Sequence, residues 1–286
     1  MSKSKIREII GREYRCLDKG FVRLIDVMGD DAAIVQAARV SYGKGTKSVR
    51  EDRGLIRYLM RHRHTSPFEM VEFKFHVKLP IFVARQWIRH RTANVNEYSG
   101  RYSEMRDEFY IPEAGDLRAQ SEINRQGRSD DALDSANSEN LLKSIKSHQR
   151  AAFGHYQDMI DSGLAREVAR INLPLSVYTE WYWKIDLHNL LHFLKLRLDA
   201  HAQQEIRVYA RAIAEMVEAA CPIVWEAFKD FSLGGVSLSR PEQKAIAGVL
   251  AAHPIDEESL KKSGLSASEA REFFAKIKKI IEGNTL

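Results

Sequence analysis

The sequence predicts an α+β fold, with helices packed around a mainly antiparallel sheet. Three observations carry this. Residues 71–79 alternate without a break: Val71, Phe73, Phe75, Val77 and Leu79 are separated by Glu72, Lys74, His76 and Lys78, giving one buried and one wet face. Strands wetted on one face suit antiparallel pairing. Two further strand-like runs, 21–28 (FVRLIDVM) and 177–185 (VYTEWYWKI), are embedded in a chain that otherwise reads as helical segments.

In chain order, strand 21–28 leads to Asp30 or Asp31, either of which can cap a helix running to about Val40, ahead of a loop at Gly43 and Gly45. A second helix follows at roughly 49–63. After strand 71–79, Pro80 suits the first turn of a helix through about His90, because its missing N–H would have no partner there. Positions 113–139 hold few large apolar residues and read as a mobile loop. A long helix at about 139–162 should end at Gly163 in a left-handed cap, and a short one at 165–172 stops before Pro174. After strand 177–185, Asp186 can cap a helix to about Arg197, followed by helices at 200–218 and 222–231. The expected domain thus spans 1–234. Residues 235–286 form a helical extension, 240–252 and 256–282, whose Phe273, Phe274, Ile277, Ile280 and Ile281 recur at helical spacing and predict packing or an oligomer contact.

Composition narrows the class. Lys and Arg (44) exceed Asp and Glu (39), which favours anionic partners such as phosphorylated metabolites or nucleic acid. Cys16 and Cys221 are too few for a disulfide framework or a four-ligand zinc site and fit a reducing cytoplasm. No apolar run approaches the roughly 20 residues that span a bilayer, and the first residues lack a secretory signal's apolar stretch.

The chemistry-bearing residues fall in three stretches. Arg85, Gln86 and Arg89 share a helix face and Arg91 follows, so like charges crowd together unless an anion, or carboxylates from elsewhere, sits among them. The loop TANVNEYSGRYSE offers Asn94, Asn96, Ser99, Gly100 and Arg101 as donors with Glu97 as acceptor; it can wrap a phosphate or sugar, or be a well-capped turn. On helix 187–197, Leu187, Leu190, Phe193 and Leu194 share their stripe with Arg197, which then needs either a buried carboxylate or a polar ligand such as a pyrimidine edge. His188 and His192 project from the opposite face, but the HExxH pattern is absent and no metal site is expected. His62 and His64 precede Ser66, Pro67 and Glu69, which resemble a capping arrangement as much as a binding loop. Neither cysteine has a neighbouring His or basic motif, which gives both a structural role.

The string Arg89-His90-Arg91, seven residues, then Ser99-Gly100-Arg101-Tyr102, resembles the signature of the flavin-dependent thymidylate synthases. Supporting stretches stand in family order: AARVSY (37–42), HTSPFE (64–69), PIFVARQWIRHR (80–91), REVARINLPL (166–175) and HFLKLRLDAHAQQEIRVYA (192–210). The resemblance implies reductive methylation of dUMP to dTMP, with FAD as hydride carrier, 5,10-methylenetetrahydrofolate as carbon donor and NADPH as reductant. It implies a cytoplasmic homotetramer whose active sites are shared between subunits, with no nucleic acid or membrane partner. By the same resemblance, Gln86, Trp87, Ile88, Arg89, Ser99, Gly100, Arg101, Arg170 and Arg197 are similar to dUMP contacts, and Arg197 to the residue that polarises the uracil ring. Ser66, Arg89, His90, Arg91, Glu97 and His192 resemble FAD contacts, and His64 resembles a histidine near flavin and folate. Asp186 and His188 stand where the family often has Asn and Arg, which departs from its flavin-binding pattern.

Overall fold

In the computed structural model, which describes residues 2–40, 49–122, 125 and 127–283, the chain opens with two elements that the sequence pattern does not announce. These are helix α1 (Ser2–Ile9) and strand β1 (Glu13–Cys16). Strand β2 (Gly20–Met28) then pairs antiparallel with β1, as Glu13 faces Arg23 and Cys16 faces Gly20. Asp30 is the cap of α2 (Asp31–Arg39), its carboxylate accepting from the backbone N–H groups of Ala32 and Ala33. The Gly43/Gly45 loop and the end of AARVSY lie outside the described residues. Helix α3 (Val49–Arg61) and a 3₁₀ turn (Ser66–Met70) lead into β3 (Glu72–Pro80).

Phe73, Phe75, Val77 and Leu79 on β3 are fully buried, as the alternation predicts. Pro80 closes this strand opposite Tyr178 and stands just before α4 (Ile81–Trp87), not inside its first turn. Residues 94–97, read as loop from their polar composition, form an edge strand, β4 (Asn94–Glu97). Its main chain pairs with the last sheet strand, from Asn94 opposite Lys184 to Glu97 opposite Trp181, and that pairing overrides weak local propensity.

The described residues of the polar stretch 113–139 are structured, which corrects the expectation of a mobile loop. They contain a 3₁₀ turn (Ala114–Asp116) and a two-stranded antiparallel ribbon, β5 (Arg118–Gln120) and β6 (Arg128–Ala132), with α5 (Ser135–Asp161) already begun. Gly163 takes the left-handed conformation past α5 (φ 84°), and its N–H donates to Ile160 O at 2.9 Å. After α6 (Arg166–Ala169) and a 3₁₀ turn, β7 (Tyr178–Asp186) completes an antiparallel sheet in the order β1-β2-β3-β7-β4. Asp186 caps α7 (Leu187–Arg197) through Asn189 N at 2.9 Å. Helices α8 (Gln204–Ala220) and α9 (Pro222–Phe228) follow.

Trp181, Trp183 and Ile185 on β7 join Phe73, Phe75 and Val77 and the buried faces of α7 and α8 in one core. Each such side chain contributes about 1.5–3 kcal/mol by leaving water. A smaller cluster, Met105, Phe109, Tyr156, Ala169 and Val177, holds α5 and α6 to the end of β7. The fold is α+β, and no helix among the described residues is long and apolar enough to cross a membrane.

Residues 234–286 form their own compact unit. It comprises α10 (Arg240–Ala252), α11 (Glu257–Lys262) and α12 (Ala267–Ile281), with Leu260, Ala270 and Ile277 buried. The single helix expected over 256–282 is two. Ser266 starts α12 with a capping box to Glu269, a signal present in the sequence as Ser-x-x-Glu.

Candidate active site

Helix α4 stops at Trp87, and the chain tightens: Arg89 N–H donates to Gln86 O at 3.3 Å and His90 N–H to Trp87 O at 3.0 Å. Trp87 anchors the turn. Its indole is 1% exposed and packs edge-on against Trp183 (5.1 Å) and tilted against Phe193 (4.8 Å). Such aromatic packing ties the turn to both β7 and α7. Arg89, His90, Arg91 and Thr92 therefore form one wall of a cleft of about 400 Å³, faced by Ile185 of β7 and by Asn189, His192, Leu196 and Arg197 of α7. Helical projection sets His192 opposite Arg197, yet both line this cleft.

The cleft is strongly cationic. Arg197 donates from Nε to His90 Nε2 at 3.1 Å and from Nη2 to Gln86 O at 3.4 Å. Among the described residues neither it nor Arg89 or Arg91 has a carboxylate partner, so the buried-acid alternative for Arg197 is not realised. Burial pushes the Arg197 guanidinium below its ordinary range. His90 is pushed down to about 4, first by burial, then by Arg197 and His192, so it is neutral at ordinary pH and can accept a hydrogen bond. Three arginines without acids suit a dianionic or pyrophosphate group.

Ser99, Gly100, Arg101 and Arg170 gather elsewhere, beyond the far end of β4, and none of them lines the cleft. A Cβ on Gly100 would lie 2.8 Å from Met105 Sδ and 3.2 Å from Arg170 Cδ, so a larger residue there would push the Met105 and Arg170 side chains aside. Ser99 Oγ accepts from Arg101 N at 3.3 Å, and Arg101 pairs with Glu167 at 3.1 Å, both exposed.

A profile of the family described as "Thymidylate synthase complementing protein" matches residues 23–223. The chain is 58% identical over 261 residues to the "Flavin-dependent thymidylate synthase" of Thermus thermophilus, covering 91% of this chain and 94% of that one. The chain belongs to the flavin-dependent thymidylate synthase family. The Ruegeria pomeroyi member is 56% identical over 266 residues, covering 92% of this chain and 87% of its own. Among solved structures, the UMP/dUMP methylase PolB from Streptomyces cacaoi bound with 5-Br dUMP superposes with a TM-score of 0.69 at 35% identity, over 77% of this chain and 99% of that one.

Within this flavin-dependent thymidylate synthase chain, the remaining predicted residues do not line the cleft. Gln86 turns its side-chain amide to Gln203. Trp87 is core, which leaves only its main chain for a ligand, while Ile88 is 42% exposed. Glu97 accepts from Thr179 Oγ1 at 2.8 Å. Asp186 is engaged in capping and also accepts from Asn189 Nδ2 at 2.7 Å; His188 is half-buried and outside the cleft lining. Ser66 opens its 3₁₀ turn, and no side chain caps it at Thr65, so the capping alternative fails. His64 stacks on Tyr58 at 5.9 Å beside His62. Gln203 and Glu167 were missed; each sits inside a recognised stretch, but only contact with Gln86 or Arg101 gives it meaning. Both cysteines are buried, with the Cys16 thiol pushed up to about 12 by burial, which suits a structural role and not a nucleophile.

Proposed function

We infer that this flavin-dependent thymidylate synthase converts dUMP to dTMP using FAD, 5,10-methylenetetrahydrofolate and NADPH. The observation that carries the reading is the acid-free cationic cleft, with Arg197 held by neutral acceptors. Arg89 and Arg91 suit the pyrophosphate of a flavin dinucleotide, which fits the donors present. A cleft of about 400 Å³ is near the lower end of small-molecule pockets, roughly 300–1,000 Å³, so part of FAD would extend beyond one chain's walls. When bound, the flavin supplies hydride.

The chain's own residues then orient and polarise. Arg197, held beside the pyrimidine, stabilises negative charge on the ring oxygens and so raises electron density at C5, the carbon to be methylated. Ser99, Gly100, Arg101 and Arg170 offer main-chain and guanidinium donors to the nucleotide phosphate. Because these four do not line the cleft of Arg197, we place the complete site between subunits, with Gln86, Arg89 and Arg197 from one and Ser99 to Arg101 from another, in a homotetramer. His64 and Ser66 stand near the flavin and folate end, with His192, Glu97, Asp186 and His188 as further flavin contacts.

The test is the visible spectrum of the purified protein after FAD is added and excess removed, repeated anaerobically with NADPH and then dUMP. Retained flavin absorbance that bleaches faster once dUMP is present is expected. Failure to retain flavin under any condition overturns the reading.

A further inference from the structure

A guanidinium that is to polarise a substrate ring must be fixed in place without losing its charge, and the common way to fix an arginine, a carboxylate, defeats the second requirement. The cleft meets both. His90 Nε2 lies 3.1 Å from Arg197 Nε, on the opposite edge of the guanidinium from Nη1, and Nη2 reaches the Gln86 carbonyl. The imidazole has no slack: its ring packs edge-on to Phe193 at 4.9 Å and to His192 at 5.9 Å, and Phe193 is itself wedged against Trp87 and Trp183. Its backbone N–H closes the turn onto Trp87 O. Nη1 has no partner among the described residues, so one edge of the guanidinium stays open for a ligand.

We propose that His90 is the positioning residue for Arg197: as an uncharged acceptor braced by Phe193, it orients the guanidinium toward the pyrimidine while leaving its positive charge uncancelled. This rests on the synthase reading above. It gives His90 a task separate from flavin contact, and it accounts for the neutral Nδ1–H tautomer that the Arg197 bond requires.

Four variants separate the requirements. A Gln oxygen at position 90 can stand near where Nε2 stands, an Asn oxygen falls short of it, Glu restores reach but adds negative charge, and Ala removes the acceptor. With FAD saturating, and with FAD affinity and dUMP KM read separately, kcat should fall about 30-fold or more in His90→Ala and in His90→Asn. His90→Gln should recover about tenfold over His90→Ala. His90→Glu should stay at least tenfold below His90→Gln despite its reach. Binding of dUMP to the FAD-loaded protein, read from the change in flavin absorbance, should weaken in the Ala and Asn variants and be restored by Gln.

Equal kcat in the Gln, Asn and Ala variants, or equal kcat in Gln and Glu, overturns the positioning role. So does a loss that appears only as weaker FAD affinity and vanishes at saturation, since that is a cofactor contact alone. In each case active wild-type protein shows that the synthase reading stands. Wild-type protein that neither binds nor turns over dUMP overturns that reading instead.

Discussion

On α3, Arg57 is 14% exposed and lies between Glu226 (3.1 Å) and Asp230 (2.6 Å), with its guanidinium 4.7 Å from the Phe231 ring. Arg53 beside it also pairs with Glu226. At the cleft, Arg197 is likewise half-buried, yet its partners are an imidazole and a carbonyl, and Arg89 and Arg91 stand by with no acid among the described residues. Both regions are arginine-rich. The first is neutralised internally, so its charge is spent on holding α3 to α9. The second has no internal counter-charge among the described residues, so an anionic ligand would be attracted to it.

Breaking each region in turn should give different losses. Arg197→Ala should lower kcat by about 10²–10³-fold, the range for removing one donor that stabilises developing charge, while flavin stays bound; steady-state assay and visible absorbance check both halves, and a fully active variant would sink the assignment. Arg91→Ala should weaken FAD binding by about 10–100-fold, as loss of a charge-assisted hydrogen bond worth about 1.5–3 kcal/mol implies, checked by flavin fluorescence titration. Arg57→Ala should leave flavin affinity and kcat unchanged and cost about 1 kcal/mol of stability, because its acidic partners are 39% and 49% exposed and largely screened; thermal unfolding measures it, and altered flavin affinity would erase the contrast.

The last effect is one of pH. His90, facing Arg197 and His192 of α7, is pushed down from 6.5 to about 4, so between those values the unfolded chain binds more protons than the folded one. This contribution is complete above pH 6.5 and is lost as pH falls toward 4. Denaturant unfolding of flavin-free protein should show that slope in the wild type and less of it in His90→Gln; identical slopes would mean the imidazole is not held neutral.

Legibility from the sequence followed the range of the interactions involved. Strand β3 was readable because its alternation is a local pattern, and the caps at Asp30, Asp186 and Gly163 because each acts within one turn. Strand β4 was not, since Asn94–Glu97 becomes extended only through main-chain bonds to residues more than 80 positions later. The ribbon β5–β6 was missed because its residues are mostly exposed and carry no hydrophobic alternation. Arg197 was singled out by its odd place on an apolar stripe, but the partner it meets, His90, lies 107 residues away.

By itself, then, the sequence determined the α+β class, the helix caps, the core strand and the arginine-rich motifs of a flavin-dependent thymidylate synthase, all of which rest on near-neighbour spacing. Only the tertiary structure decided that Arg197 meets a neutral histidine and no acid, and that Ser99, Gly100, Arg101 and Arg170 lie away from it. Charge balance at a buried site depends on which distant side chains packing brings within about 3–4 Å, where Coulomb energies become large, and no local pattern encodes that.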